Sequence, residues 1–185
     1  MSQSNCHKRC FESQGRVACY YQKVTMYLMM VCKRSKFDKG KFMKKRKGEP
    51  WMTAPEYGHS LPEFTINLLV KDVKAASNFY IEVLDGQIRY QDEDFAAVSI
   101  SGLEFMLHAD HTFEDHIWSE LLAGTSKRGI GVELRILGLD PDQVEKKAGM
   151  RNYQIVASAN DKPHGWRETV IEDPDGYVWA VGVKI

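Results

Sequence analysis

One order of elements occurs twice between residues 64 and 182: an apolar run, a helix-capping Asp, a helical stretch, a Gly, then three short strands. In the first copy residues 64–70 (FTINLLV) form a strand-like run. Asp72 is the cap, and residues 73–84 carry Ala76, Phe79/Tyr80 and Val83/Leu84 at helical spacing. Gly86 is expected to supply a left-handed C-cap, followed by strands over 87–91, 95–100 and 103–108 with Ser101-Gly102 as a turn. In the second copy residues 131–137 form the strand, Asp140 caps, Pro141 opens the helix and Gln143 is placed to close a capping box. Val144 and Ala148 mark its inner face and Gly149 its end, before a strand over 154–157. A final hairpin joins 168–172 to 177–181 across Asp173-Pro174-Asp175-Gly176, where Pro presets φ and Gly tolerates a positive one. The two caps lie 140 − 72 = 68 residues apart. An α+β chain of two βαβββ modules is therefore predicted, and because each sheet buries one face, the modules must pack together.

Charge divides the chain elsewhere. Residues 1–51 hold 13 Lys/Arg against Glu12, Asp38 and Glu49, a net of +10, whereas residues 52–185 hold the other 12 basic residues against 22 acidic ones, a net of −10. All four cysteines, Cys6, Cys10, Cys19 and Cys32, also precede residue 52, so disulfides have no part in the rest of the chain. Residues 1–51 read as a basic, disordered extension and residues 62–185 as the folded domain. Met52 begins a stretch with the character of a native start, which makes 1–51 an upstream segment without a role of its own. Cys6, His7, Cys10 and Cys19 lack the paired spacing of a zinc site. The run KGKFMKKRK at 39–47 reads as a solvated tail in preference to a nucleic-acid arm. No apolar run reaches the roughly 18–20 residues of a membrane span, and no secretory signal is legible, so a cytoplasmic location is expected.

Several chemistries find no support in the letters. Gly129-Ile-Gly131 opens a strand and not a helix, so it is no phosphate loop. No Gly-x-Ser-x-Gly elbow occurs, and residues 52–185 have no cysteine nucleophile. Residues 111–125 form a long polar connection with scattered aromatics and room for one helical turn, placed to move over a site.

Two blocks, LLVKDVKAASNFYIEVLDG at 68–86 and PHGWRETVIEDPDGYVWAVG at 163–182, resemble the opening unit and the final hairpin of the vicinal oxygen chelate superfamily. That superfamily holds glyoxalases, extradiol dioxygenases and the fosfomycin and bleomycin resistance proteins, and the P-x-G-x-R-E…DPDG form is most similar to the bleomycin resistance branch. The resemblance implies one divalent metal held by His, Gln or Glu from four strands. Carried over, those positions fall on Thr65, Met106, Glu133 and Ala180, with His108 two residues beyond Met106 on the same strand face. Thr is a poor ligand, and Met and Ala offer no hard donor. Only Glu133, with His108 as a stand-in, keeps ligand chemistry, short of the three protein ligands a catalytic divalent ion needs.

The resemblance thus implies a metal-free, cofactor-free protein that sequesters a cationic or aromatic small molecule, as a homodimer. The alternative is a glyoxalase-like lyase or dioxygenase using His108 and Glu133. Aromatic faces and carboxylates suit a planar cation, so the expected ligand-binding residues are Glu133, Thr65, His108, Trp166, Trp118 and Ala180. Trp179 alternates with Ala180 and should point into helix packing, while Arg167 and Glu168 read as a cross-strand ion pair. His108, at a strand end, also reads as a hydrogen-bonded structural histidine.

Overall fold

The computed structural model describes residues 44–123 and 127–185. The zinc reading, and the tail reading of 39–47 as far as residue 43, lie outside the described residues; within the described part the Lys45 amide donates to Asp94 Oδ1 at 2.7 Å. The elements are α1 (Ala54–Ser60), β1 (Asn67–Val70), α2 (Val73–Leu84), β2 (Gln87–Gln91), β3 (Phe95–Ile100) and β4 (Leu103–Ala109) in the first half. A 3₁₀ turn (Asp110–Phe113) and a short α3 (Ser119–Leu122) follow, then β5 (Glu133–Leu137), α4 (Pro141–Met150), β6 (Gln154–Lys162), β7 (Trp166–Glu172) and β8 (Val178–Lys184). The two sheets share one topology, β1-β4-β3-β2 and β5-β8-β7-β6, with the first and last strand of each module parallel and the other pairs antiparallel. The duplication predicted from the spacing of the caps is therefore present as two modules of the same α+β design.

Both long helices start where an Asp was expected. Asp72 accepts from the Ala75 amide, and Asp140 accepts from the amides of Asp142 and Gln143, so Gln143 enters as a backbone donor. The ends differ from expectation. The left-handed residue after α2 is Asp85 (φ 52°), whose short polar side chain tolerates that region. Gly86 is needed for space instead, since a Cβ there would lie 2.9 Å from the Tyr80 carbonyl oxygen. Likewise α4 runs through Gly149 to Met150, and the left-handed turn falls on Asn152 (φ 60°). The β3–β4 turn has positive φ at both Ser101 (51°) and Gly102 (81°), as a two-residue hairpin requires.

The helix-bearing faces of both sheets meet in one core. Val70, Phe79, Tyr80, Phe105 and Leu107 of the first module join Ile136, Val144, Ile171, Trp179 and Val181 of the second. Trp179 is 4% exposed and packs against the rings of Tyr80 (5.5 Å) and Phe105 (5.8 Å). Helices α2 and α4 are also bridged by Lys147–Asp85 (2.6 Å) and Arg151–Glu82 (2.6 Å), exposed pairs that add little.

The Asp-Pro-Asp-Gly turn is the polar joint between the modules. Asp173 accepts from the amides of Asp175 (3.0 Å) and Tyr177 (2.9 Å) with one oxygen and from the Tyr80 hydroxyl (2.6 Å) with the other. Asp175 accepts from the Lys71 amide (2.9 Å), and the Tyr177 hydroxyl donates to the Leu69 carbonyl (3.1 Å). Arg128 completes the joint: its guanidinium donates to the Leu69 carbonyl (2.6 Å) and to Asp110 (2.7 Å) and lies 3.7 Å from Asp175. Gly176 (φ +92°) admits the close crossing of the chain, because a Cβ would meet the Lys127 Cα at 2.8 Å. Burial raises the pKa values of both Asp173 and Asp175, against the opposing effect of these donors.

Candidate binding faces

Since the helix sides share a core, the other face of each sheet points outward, and alternation along the strands decides what it presents. Ile136, Ile171, Trp179 and Val181 are buried in the core. Their alternates Glu133, Arg135, Leu137, Trp166, Glu168, Val170, Ala180 and Gly182 therefore share the outer face of the second sheet, in the register Arg135↔Ala180↔Val170 and Leu137↔Gly182↔Glu168. In the same way Asn67, Glu104, Met106, His108, Phe95 and Tyr90 lie on the outer face of the first, with Asn67↔Met106 and Phe95↔His108 in register.

The six expected binding residues therefore divide between two faces that the chain does not itself bring together. Glu133, Ala180 and Trp166 belong to the second sheet. Thr65, His108 and Trp118 belong to the side of the first. The duplication places Thr65 and Glu133 at equivalent positions, 133 − 65 = 68 residues apart, and matches Asn67↔Met106 in one module with Arg135↔Ala180 in the other.

On the second sheet the buried carboxylate is Glu168, whose side chain is 5% exposed, whereas that of Glu133 is 49% exposed. Arg135 binds both, Glu133 at 2.9 Å and Glu168 in a close hydrogen-bonded pair. His164 Nε2 stands 3.4 Å from Glu168. Two carboxylates thus share one guanidinium, leaving one negative charge uncompensated by it. The expected Arg167–Glu168 pair does not form because adjacent strand residues face opposite ways. Arg167 instead reaches Asp142 (2.7 Å) and Asp161 (2.8 Å) on the helix side. Trp166 lies under the Lys184 ammonium at 5.8 Å and lines an open recess with Leu137 and Val183. Period-two alternation is the signal for both: Glu168 shares a strand face with Trp166, and Arg135 with Glu133.

On the first sheet His108 Nδ1 lies 2.7 Å from Asn67 Oδ1. An amide oxygen only accepts, so Nδ1 carries the proton and Nε2 keeps its lone pair. Burial pushes the His108 pKa down to about 4, leaving it neutral at pH 7. A file of rings runs from Phe95 to His108 (4.8 Å), Phe113 (5.7 Å), His116 (5.1 Å) and Trp118 (6.2 Å). Thr65 Oγ1 is buried and finds no hydrogen-bond partner among the described residues. An apolar recess of about 280 Å³ opens at the seam of the modules, between residues such as Ile66, Leu103, Leu134 and Leu137. It is below the roughly 300–1,000 Å³ of small-molecule sites, and the outer faces are the better candidates.

The donors do not fit a resident divalent metal. Met106 and Ala180 supply no hard ligand, Glu133 is engaged by Arg135, and His108 lies on the other face. Among the described residues no three His, Cys, Asp or Glu side chains converge as a metal-holding group.

Comparison with known proteins places the chain in context. The family model described as the Glyoxalase/Bleomycin resistance protein/Dioxygenase superfamily matches residues 64–181. An uncharacterized protein of Mycobacterium bovis is 27% identical over 130 residues, covering 67% of this chain and 84% of that protein. An uncharacterized protein of Mycobacterium tuberculosis shows the same identity over 75% of its length. Among solved structures, a glyoxalase-related enzyme from Fulvimarina pelagi superposes with a TM-score of 0.56 at 19% identity, covering 67% of this chain and 89% of that one. A glyoxalase/bleomycin resistance protein/dioxygenase family enzyme from Burkholderia phytofirmans gives 0.56 at 18%, covering 65% and 97%. At these identities the likeness is one of fold.

Proposed function

Because the chain belongs to the Glyoxalase/Bleomycin resistance protein/Dioxygenase superfamily, we propose that it is a small-molecule binding protein of that fold. In this reading it holds a cationic aromatic ligand on the outer face of the second sheet, and no bond is made or broken. The observation that carries the reading is the donor set. Where the family's metal would be held, this chain has Thr65, Met106, Glu133 and Ala180, and its one carboxylate there is spent on Arg135. What the face offers instead is a buried carboxylate, Glu168, sharing Arg135 with Glu133, and the ring of Trp166 at the start of the same strand. A planar cation would exchange part of the Arg135 pairing for its own and stack on the indole, with each cation–π contact worth about 0.5–2 kcal/mol. Ile130, Val132 and Leu137 are exposed at 87%, 55% and 48%. A second copy of the chain, the dimer of this proposal, covers that apolar rim.

The alternative metal-dependent lyase or dioxygenase draws on His108, whose neutral ring and free Nε2 lone pair suit a ligand, and on Glu133. Among the described residues these two stand on separate sheets.

The test is a titration of the purified full chain with proflavine, a planar aromatic cation, read by tryptophan quenching, beside elemental analysis after dialysis against Ni, Mn, Zn and Fe. Binding that weakens about tenfold or more in Glu168→Gln is expected, because a charge-assisted hydrogen bond to a buried carboxylate is worth about 1.5–3 kcal/mol. Near-stoichiometric metal, or proflavine affinity unchanged by Glu168→Gln, would overturn the proposal.

A further inference from the structure

The outer face of the first sheet is already covered, and what covers it is the chain's own segment ahead of β1. Trp51 lies flat on Tyr90 of β2, 5.4 Å between centroids and 9° between planes, with the Arg89 guanidinium carbon 5.5 Å from the indole. Tyr57, 8% exposed, meets Phe95 of β3 edge-on at 5.2 Å, and its hydroxyl donates to Glu104 Oε1 of β4 at 3.1 Å. Arg89 holds the other oxygen of Glu104. The sheet therefore presents two aromatic platforms and a carboxylate oriented by a guanidinium, and two rings of one short segment fill them.

The asymmetry between the two partners matters. The face is preformed: its rings stand on three hydrogen-bonded strands, Phe95 packs on His108 at 4.8 Å, and the Tyr90 hydroxyl is fixed to Asp92 at 2.6 Å. The segment is lightly built. Helix α1 has seven residues, far below the roughly 12–15 at which an isolated helix becomes marginal, and Tyr57 is its only buried residue. Its start is set by the Thr53–Glu56 capping box, independent of the sheet. Trp51 remains 40% exposed although stacked, and Phe64, between α1 and β1, is 75% exposed. A segment so tethered competes for the face with an effective concentration of roughly millimolar order.

We propose that the outer face of the first sheet is a binding site for a planar aromatic ligand carrying a hydrogen-bond donor, of phenol or indole type, and that Trp51 and Tyr57 occupy it as a built-in, displaceable competitor. The ligand ring takes the place of an indole or phenol ring over Tyr90 and Phe95, and its donor replaces the Tyr57 hydroxyl at Glu104. Binding there is independent of the second sheet, whose carboxylates and indole are a separate set of residues.

The experiment titrates the full chain and its Trp51→Ala and Trp51→Ala/Tyr57→Ala variants with p-cresol, and with toluene as the same ring without a donor, by calorimetry or ligand-observed NMR. Removing the competitor should tighten p-cresol binding about tenfold or more, the change expected from a competitor present at ten times its own dissociation constant. Adding Glu104→Leu, which leaves no acceptor, should erase the preference for p-cresol over toluene, and adding Tyr90→Ala should remove the gain. Glu168→Gln should leave it intact, which separates this outcome from the fate of proflavine binding on the second sheet. Equal p-cresol affinity in the wild type and both variants, with circular dichroism unchanged, would overturn the proposal. So would a gain that survives Tyr90→Ala. If the double variant unfolds, Trp51→Ala alone decides, since that side chain lies on the surface of the sheet and outside the core.

Discussion

Tyr80→Phe isolates the joint between the modules. The Tyr80 hydroxyl is fully buried and donates to Asp173 at 2.6 Å across 93 residues of sequence, while the ring itself packs in the core against Phe79, Phe105 and Trp179. Phenylalanine keeps that packing and removes one donor from a carboxylate that is 4% exposed. A hydrogen bond to a charged group contributes about 1.5–3 kcal/mol, so a loss of about 2 kcal/mol is expected, roughly 6–10 °C in Tm for a domain of this size. The loss should also depend on pH. Burial raises the folded-state pKa of Asp173 above its ordinary value, and the Tyr80 bond opposes that rise. A carboxylate with a raised folded pKa favours folding when protonated. That contribution is complete below the unfolded pKa and is lost as pH rises through the folded one. Without the Tyr80 donor the folded pKa rises further, so the deficit of the variant is largest at neutral pH and shrinks as pH falls through the folded values toward 4. Urea unfolding of both proteins at several pH values between 4.5 and 8 measures it. A deficit that is absent, or that grows as pH falls, would refute the assignment of Asp173 as the ionised acceptor joining the two modules.

Two further expectations follow from close contacts. Gly182→Ala places a Cβ 2.8 Å from both the Arg167 carbonyl oxygen and Glu168 Cγ; overpacking of this kind should cost about 1–3 kcal/mol in chemical unfolding and weaken proflavine binding by displacing Glu168. For His108, with its pKa lowered to about 4 by burial, the neutral ring is the form the fold favours. Its contribution to stability is present above the unfolded pKa of 6.5 and is lost as pH falls through 4. The imidazole NMR resonances of His108 should therefore stay flat from pH 8 to 5, and a midpoint near 6.5 would contradict the burial of that ring.

What could be read from the letters alone was local. Asp72 and Asp140 start helices by accepting from amides two or three residues on, Pro141 opens the second with a preset φ, and Gly102 tolerates the positive φ of its hairpin turn, so these features follow from nearest neighbours in sequence. The same locality made the doubling of the βαβββ unit visible at a spacing of 68 residues. It also explains the small errors at helix ends: Asp85 and Asn152 took the left-handed positions, while Gly86 answers to a carbonyl oxygen above it and α4 passes through Gly149. The roles of the site residues needed tertiary structure, because they depend on which face of which sheet a strand presents and on what crosses it. The Asp-Pro-Asp-Gly turn reads as a hairpin but works as the joint to Tyr80, Lys71 and Arg128, groups 47 to 104 residues away. Glu168 belongs with Arg135 and not with its neighbour Arg167, since one side chain points to the outer face and the other to α4. Trp51, on the basic side of the charge boundary, rests on the sheet at Tyr90, a contact set by long-range packing that composition has no means to encode.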